Sequence, residues 1–138
     1  MDWVLLIARV LFVWLFVRSG LMFHLRARSM AVAYARSEHA PAPEITVPLT
    51  GVVMLVAGAM VVLGVWVDLA ALALAACTLS FAVFMHAFWK VEDPMQRANQ
   101  QAHFDKNLGL VAGALFLFYL FKEFGDAIGL TVGPESLF

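Results

Sequence analysis

Four apolar stretches, at about 3–24, 45–66, 69–89 and 107–124, fill most of a chain of 138 residues and restrict its fold more than any other feature. A run of about 20 apolar residues is the length of helix that crosses a bilayer's hydrocarbon core, and lipid admits only helices or closed barrels as spanning structures. With 63% hydrophobic and 14% charged residues, the chain carries more apolar surface than a water-soluble core of this size can hide. The predicted fold class is all-α: an integral membrane four-helix bundle forming a single membrane domain over residues 1–138, with a short interfacial or amphipathic helix before the fourth span.

The rest of the composition removes several functions. The formal net charge is −1, with no basic run and no glycine-rich phosphate loop, so nucleic acid is not a partner. Cys77 is the only cysteine and lies in an apolar run. This excludes an internal disulfide and any thiol oxidoreductase that relays electrons through cysteine pairs.

The first span resembles a signal peptide only in position. Asp2 stands where a basic residue belongs, Arg9 interrupts the apolar run and no small-x-small site follows, so the span is expected to be retained as a helix. At about 100° per residue, Arg9 shares a face with Val13, Phe16, Gly20 and His24, whereas Arg18 points away and snorkels to the interface. An arginine inside a span costs about 2.5 to 3.5 kcal/mol and needs a partner in the bundle interior. Glu123 or Asp126, at the end of the fourth span, are the candidates.

Residues 26–44 carry three arginines, a helix-compatible run from Ser29 to Ala35, and an Ala-Pro-Ala-Pro segment expected to be extended. The second span has no charge, and Gly51, Gly58 and Gly64 permit close helix approach. Val67 and Asp68 read as a tight turn into the third span, where Leu72, Ala75, Leu79, Ala82 and His86 fall on one stripe. Asp93-Pro94 is a helix start, and Asn99, His103, Lys106, Asn107 and Leu110 then form a polar side that enters the membrane. The fourth span, 18 residues, is short at about 27 Å and contains Gly109-x-x-x-Gly113, a close-packing signal. Arg26, Arg28, Arg36, Lys90, Arg97 and Lys106 all lie in or beside the two longer connectors, so these face the cytoplasm and both termini lie on the non-cytoplasmic side.

Polar chemistry concentrates between Met85 and Leu108, and all four histidines, His24, His39, His86 and His103, fall on the connector side. Haem needs two histidines facing each other at matching depth; His24 and His86 could be level but neither is deep, so haem is disfavoured. Zinc held by His86, His103 and Asp93 matches no metal-ligand spacing. A quinone asks for an apolar slot, donors at its carbonyls and a proton route, which His86, His103 and Lys106 beside Phe88 and Trp89 could supply. The plainer alternative is an interfacial hinge, with Trp89 an aromatic-belt anchor and Lys106 and Asn107 capping a helix.

These residues carry a family resemblance. Arg9 in the first span is followed by Ser19-Gly20, Met30, Tyr34-Ala35 and a proline-bearing approach to a glycine-containing second span. Then come Met85-His86-Ala87-Phe88-Trp89 with Asp93 close behind, and Phe104-Asp105-Lys106-Asn107-Leu108. Over about residues 5–121 the chain resembles the DoxX family of small four-helix membrane proteins, related to the DoxD-type subunit of thiosulfate:quinone oxidoreductase. The resemblance implies a multi-pass protein of a bacterial-type inner membrane, associated with oxidoreductases and linked by analogy to quinone reduction. It departs from the family at Glu38-His39-Ala40, where a glycine precedes the proline, and at His24, near a position often lysine.

The resulting expectation is an accessory or quinone-contacting membrane subunit of an oxidoreductase or respiratory-type complex. Its ligand-binding candidates are Arg9, His86, Trp89, His103, Lys106 and Asn107, its partners lipid and other membrane subunits, and it has no stand-alone catalytic set. The alternative is a structural or assembly subunit with no ligand of its own.

Overall fold

Each apolar run becomes a helix in the structure, a computed structural model that describes residues 2–138. Helix α1 spans Asp2–Ser19 and continues as a π-helical segment, Gly20–Arg26; α2 is Arg28–Ser37, α3 Pro43–Leu63, α4 Val67–Met85 and α5 Pro94–Phe124. Four of these helical stretches are long and apolar enough to cross a membrane, so the bundle contacts the lipid bilayer.

The face argued for the first span is the buried one: Arg9, Val13, Phe16, Gly20 and His24 all turn inward. They meet α3 where small residues let the backbones approach. A side chain at Gly51 would place its Cβ 2.7 Å from the His24 Cβ, and one at Gly20 would lie 2.9 Å from the Gly51 carbonyl oxygen. By contrast, Gly109 faces nothing within 4 Å, while Gly113 packs on Phe12. Only half of the Gly109-x-x-x-Gly113 signal is therefore used within the chain. Gly51→Ala should cost about 1–3 kcal/mol through overpacking despite alanine's better helix propensity. Gly109→Ala should cost nothing, and thermal unfolding of the two variants in detergent separates the cases.

In α4 the buried stripe is Ala71, Leu74, Ala75, Thr78 and Ala82, while Leu72 and Leu79 are exposed. Of the expected stripe, Ala75 and Ala82 are buried as expected, while Leu72 and Leu79 face outward and Leu74 packs inward in their place. Helix α5 is one unbroken element of 31 residues, about 46 Å long. The polar segment before the fourth span forms its first turns, continuous with the span, while the apolar part stays short. Its start is as expected, with the Asp93 carboxylate accepting from the Gln96 N–H at 2.8 Å.

Two turns differ from expectation. His39 and Ala42 adopt left-handed conformations (φ 58° and 42°), so the Ala-Pro-Ala-Pro segment bends where an extended chain was expected. This bend lets α2 fold back on α3, where Arg36 pairs with Glu44. The α3–α4 turn is made by Gly64, Val65 and Trp66, with Val67 and Asp68 already helical. Gly64 sits at φ 72°, and a Cβ there would collide with Thr131 and with Nη1 of Arg9.

The chain after α5 folds back over that turn. The Pro134 and Glu135 carbonyls accept from Trp66 and Val67 N–H at 2.8 Å each, so the tail satisfies amides at the start of α4 that have no partner within the helix. Asp68, fully buried, accepts from the Leu69 amide, the Ser136 hydroxyl and the Leu137 and Phe138 amides at 2.8 to 3.3 Å. The Thr131 hydroxyl donates to Glu135 at 2.7 Å and holds that carboxyl below its ordinary range. Arg9 donates to the Leu130 carbonyl at 2.8 Å and lies 5.7 Å from the centre of the Phe121 ring. Its partner is therefore a tail carbonyl, and neither Glu123 nor Asp126.

Candidate functional site

The helices pack in the order α1, α3, α4, α5, and α1 and α5 stay further apart than these neighbours. At the connector end the gap between them is a cavity of about 530 Å³. It is lined by Leu15, Phe16 and His24 of the first helical stretch, by His103, Lys106, Asn107 and Leu110 of α5, and by Thr78, Phe81, Met85 and His86 of α4 and its end. Helix α2 closes it from the connector side with Ala31, Tyr34 and Ala35. The Tyr34 hydroxyl donates to the Met85 carbonyl at 3.3 Å, tying α2 to the exposed end of α4. Most of the lining is apolar, with a few convergent polar groups, which is how small-molecule sites are built.

The local backbone explains how the histidines come to face this space. Widening of α1 into a π-helix after Ser19 leaves the Ser19 carbonyl within reach of the His24 ring, whose Nδ1 lies 3.1 Å from it. Such π segments often mark functional positions. The His24 ring, 8% exposed, also packs against Phe23 and Phe81. His86 stands at the end of α4, where the helix stops; its Nδ1 lies 2.8 Å from Oε1 of Gln100 and its ring stacks on His103 with centroids 5.0 Å apart. His103 and Lys106 are one turn apart on α5, and Nζ of Lys106 lies 3.3 Å from Nδ1 of His103. Asn107, buried, is next to them on the cavity side.

Four of the six candidate residues, His86, His103, Lys106 and Asn107, therefore line one cavity, and two do not. Trp89 is about half exposed and packs with Phe88 and Phe104, at 5.2 and 5.7 Å between ring centroids, as an interfacial aromatic cluster. Arg9 belongs to the other end of the bundle. Its neighbour Phe121 is 18 residues beyond His103 on α5, about 27 Å along the helix. Among the described residues no group of three or more His, Cys, Asp or Glu side chains is placed to hold a metal ion, so His86, His103 and Asp93 do not form the zinc set considered from sequence.

Sequence reasoning missed His24, Tyr34 and Gln100 as parts of this site. For His24 a signal existed, since it shares the inward face of Arg9, Val13 and Phe16. For Gln100 there was none, because its role depends on the first turns of α5 crossing the end of α4.

A protein-family model described as DoxX matches residues 4–87, the part of the chain from α1 to the His86 end of α4. No curated protein and no solved structure gives a significant match.

Proposed function

The chain belongs to the DoxX family, and from that premise we propose that it is an accessory membrane subunit of an oxidoreductase that holds a quinone-type head group in the connector-side cavity. The observation that carries this reading is the convergence of His24, His86, His103, Lys106 and Asn107 on one largely apolar space of about 530 Å³ bounded by lipid-facing helices. An aromatic head group fits between the Phe16 and Phe81 sides, its polar atoms meet the imidazoles, and its tail leaves toward the lipid. His103 and Lys106 at the rim connect the site with water at the membrane surface. Electrons, on this proposal, pass to or from a partner subunit. In this reading the protein resides in a bacterial-type cytoplasmic membrane, with its connectors inside and its termini outside.

His86→Ala tests the assignment, because it removes an imidazole that lines the cavity without touching the α1–α3 packing. In the natively purified complex, quinone-linked turnover should fall about tenfold or more while the amount of assembled complex stays the same. Unchanged turnover contradicts the reading. A second reading, an assembly subunit, is favoured by Gly109, whose open side lies on the outer surface of α5 where another membrane helix can approach. Gly109→Leu would then lower the amount of assembled complex and leave turnover per copy unchanged.

A further inference from the structure

The hydrogen-bond polarity of the cavity narrows its ligand, an inference that rests on the quinone-site reading. A backbone carbonyl can only accept, so His24 must carry its proton on Nδ1 to bond with the Ser19 carbonyl at 3.1 Å. Its Nε2 is then a bare acceptor. That atom has no partner among the described residues, and the ring that carries it lines the cavity. The same logic applies to His86, whose Nδ1 faces the Gln100 side-chain oxygen at 2.8 Å, leaving Nε2 as the free acceptor.

Three hydroxyls of the lining point the same way, whereas that of Ser19, 3.5 Å from Nδ1 of His24, keeps its proton. Thr78 donates to the Leu74 carbonyl at 2.6 Å, Thr50 to the Thr46 carbonyl at 2.8 Å, and Tyr34 to the Met85 carbonyl at 3.3 Å. Each spends its only proton on backbone and keeps lone pairs for the cavity. Donors remain at the rim. The Lys106 ammonium can only donate, so its contact with Nδ1 of His103 leaves the His103 proton on Nε2. Asn107, buried beside them on the cavity side of α5, adds an amide.

We infer that the His24 side of the cavity is built to receive a hydroxyl donor, so that it binds an aromatic diol, a quinol, in preference to the corresponding quinone. A quinol hydroxyl donates to Nε2 of His24, and its second oxygen accepts from Lys106 and Asn107. A quinone has only acceptor oxygens and meets the lone pairs of His24 and Thr78 with none of the protons they require. His24 thereby becomes the residue that selects the ligand's reduced form, and Gln100 positions His86 by fixing its tautomer.

The test is equilibrium binding to the full chain in detergent, under argon, of decyl-benzoquinol, decyl-benzoquinone and the quinol's dimethyl ether. The quinol is expected to bind about tenfold more tightly than either of the others, the worth of one buried hydrogen bond. Equal binding of quinol and quinone, or tighter binding of the quinone, overturns the inference and leaves the quinone-site reading standing. Binding of none of the three overturns both. His24→Gln, which can turn an amide N–H toward the cavity, should erase the preference while the helical circular dichroism is retained. A preference that persists in His24→Gln also overturns the assignment to His24.

Discussion

Asp68→Ala is expected to lower the stability of the protein by about 3 kcal/mol and to release the C-terminal tail. The carboxylate is fully buried at the start of α4 and gathers four donors, three of them from the tail residues Ser136, Leu137 and Phe138. Hydrogen bonds to a charged group contribute about 1.5–3 kcal/mol each, but tail amides regain water when freed, so the net loss is smaller than the sum. The same segment caps the first amides of α4 through the Pro134 and Glu135 carbonyls, so losing the anchor also frays that helix end. Thermal unfolding in detergent, combined with limited proteolysis, reads both effects. Unchanged melting with a tail still protected from protease would contradict the role given to Asp68.

Arg9 should show an opposite dependence on the replacing residue. Its side chain is fully buried, one nitrogen donates to the Leu130 carbonyl, and Nε and Nη1 have no partner among the described residues. Replacing a buried ion by an apolar residue of similar volume is often neutral or stabilising by about 1–4 kcal/mol, whereas an unpaired buried charge costs about 3–5 kcal/mol. Arg9→Met should therefore accumulate in the membrane and unfold at the same temperature or higher. Arg9→Glu sets a carboxylate against the Leu130 carbonyl and the face of Phe121, and should accumulate poorly. Because the cavity lies at the other end of the bundle, Arg9→Met should also leave ligand binding unchanged. Weaker binding in that variant would show that Arg9 acts on the site.

The inward face of the first span was legible because Arg9, Val13, Phe16, Gly20 and His24 follow helical spacing with a cost attached to misplacing the arginine. The Asp93-Pro94 start was legible for a local reason, a cap followed by a residue that needs no N–H. What escaped was non-local. Nothing in α1 announces that its last turns widen into a π-helix, which turns His24 onto the Ser19 carbonyl and into the cavity. Leu72 and Leu79 were placed inward by their helical spacing with Ala75 and Ala82, but lipid is as apolar as the core, and Leu74 takes the inward place. The tail that bonds to Arg9 and Asp68 makes its contacts across 121 and 68 to 70 residues of sequence and carries no pattern of its own.

The central claim is that the space between α1 and α5 holds a quinone-type head group. Photolabelling of the natively purified protein with an azido-quinone, followed by peptide mapping, tests it most directly. Label on the peptides that contain His24, His86 and His103, displaced by unmodified quinol, is the predicted result. Label confined to the outer, lipid-facing side chains such as Phe116 and Tyr119, or label that excess quinol does not displace, would contradict it.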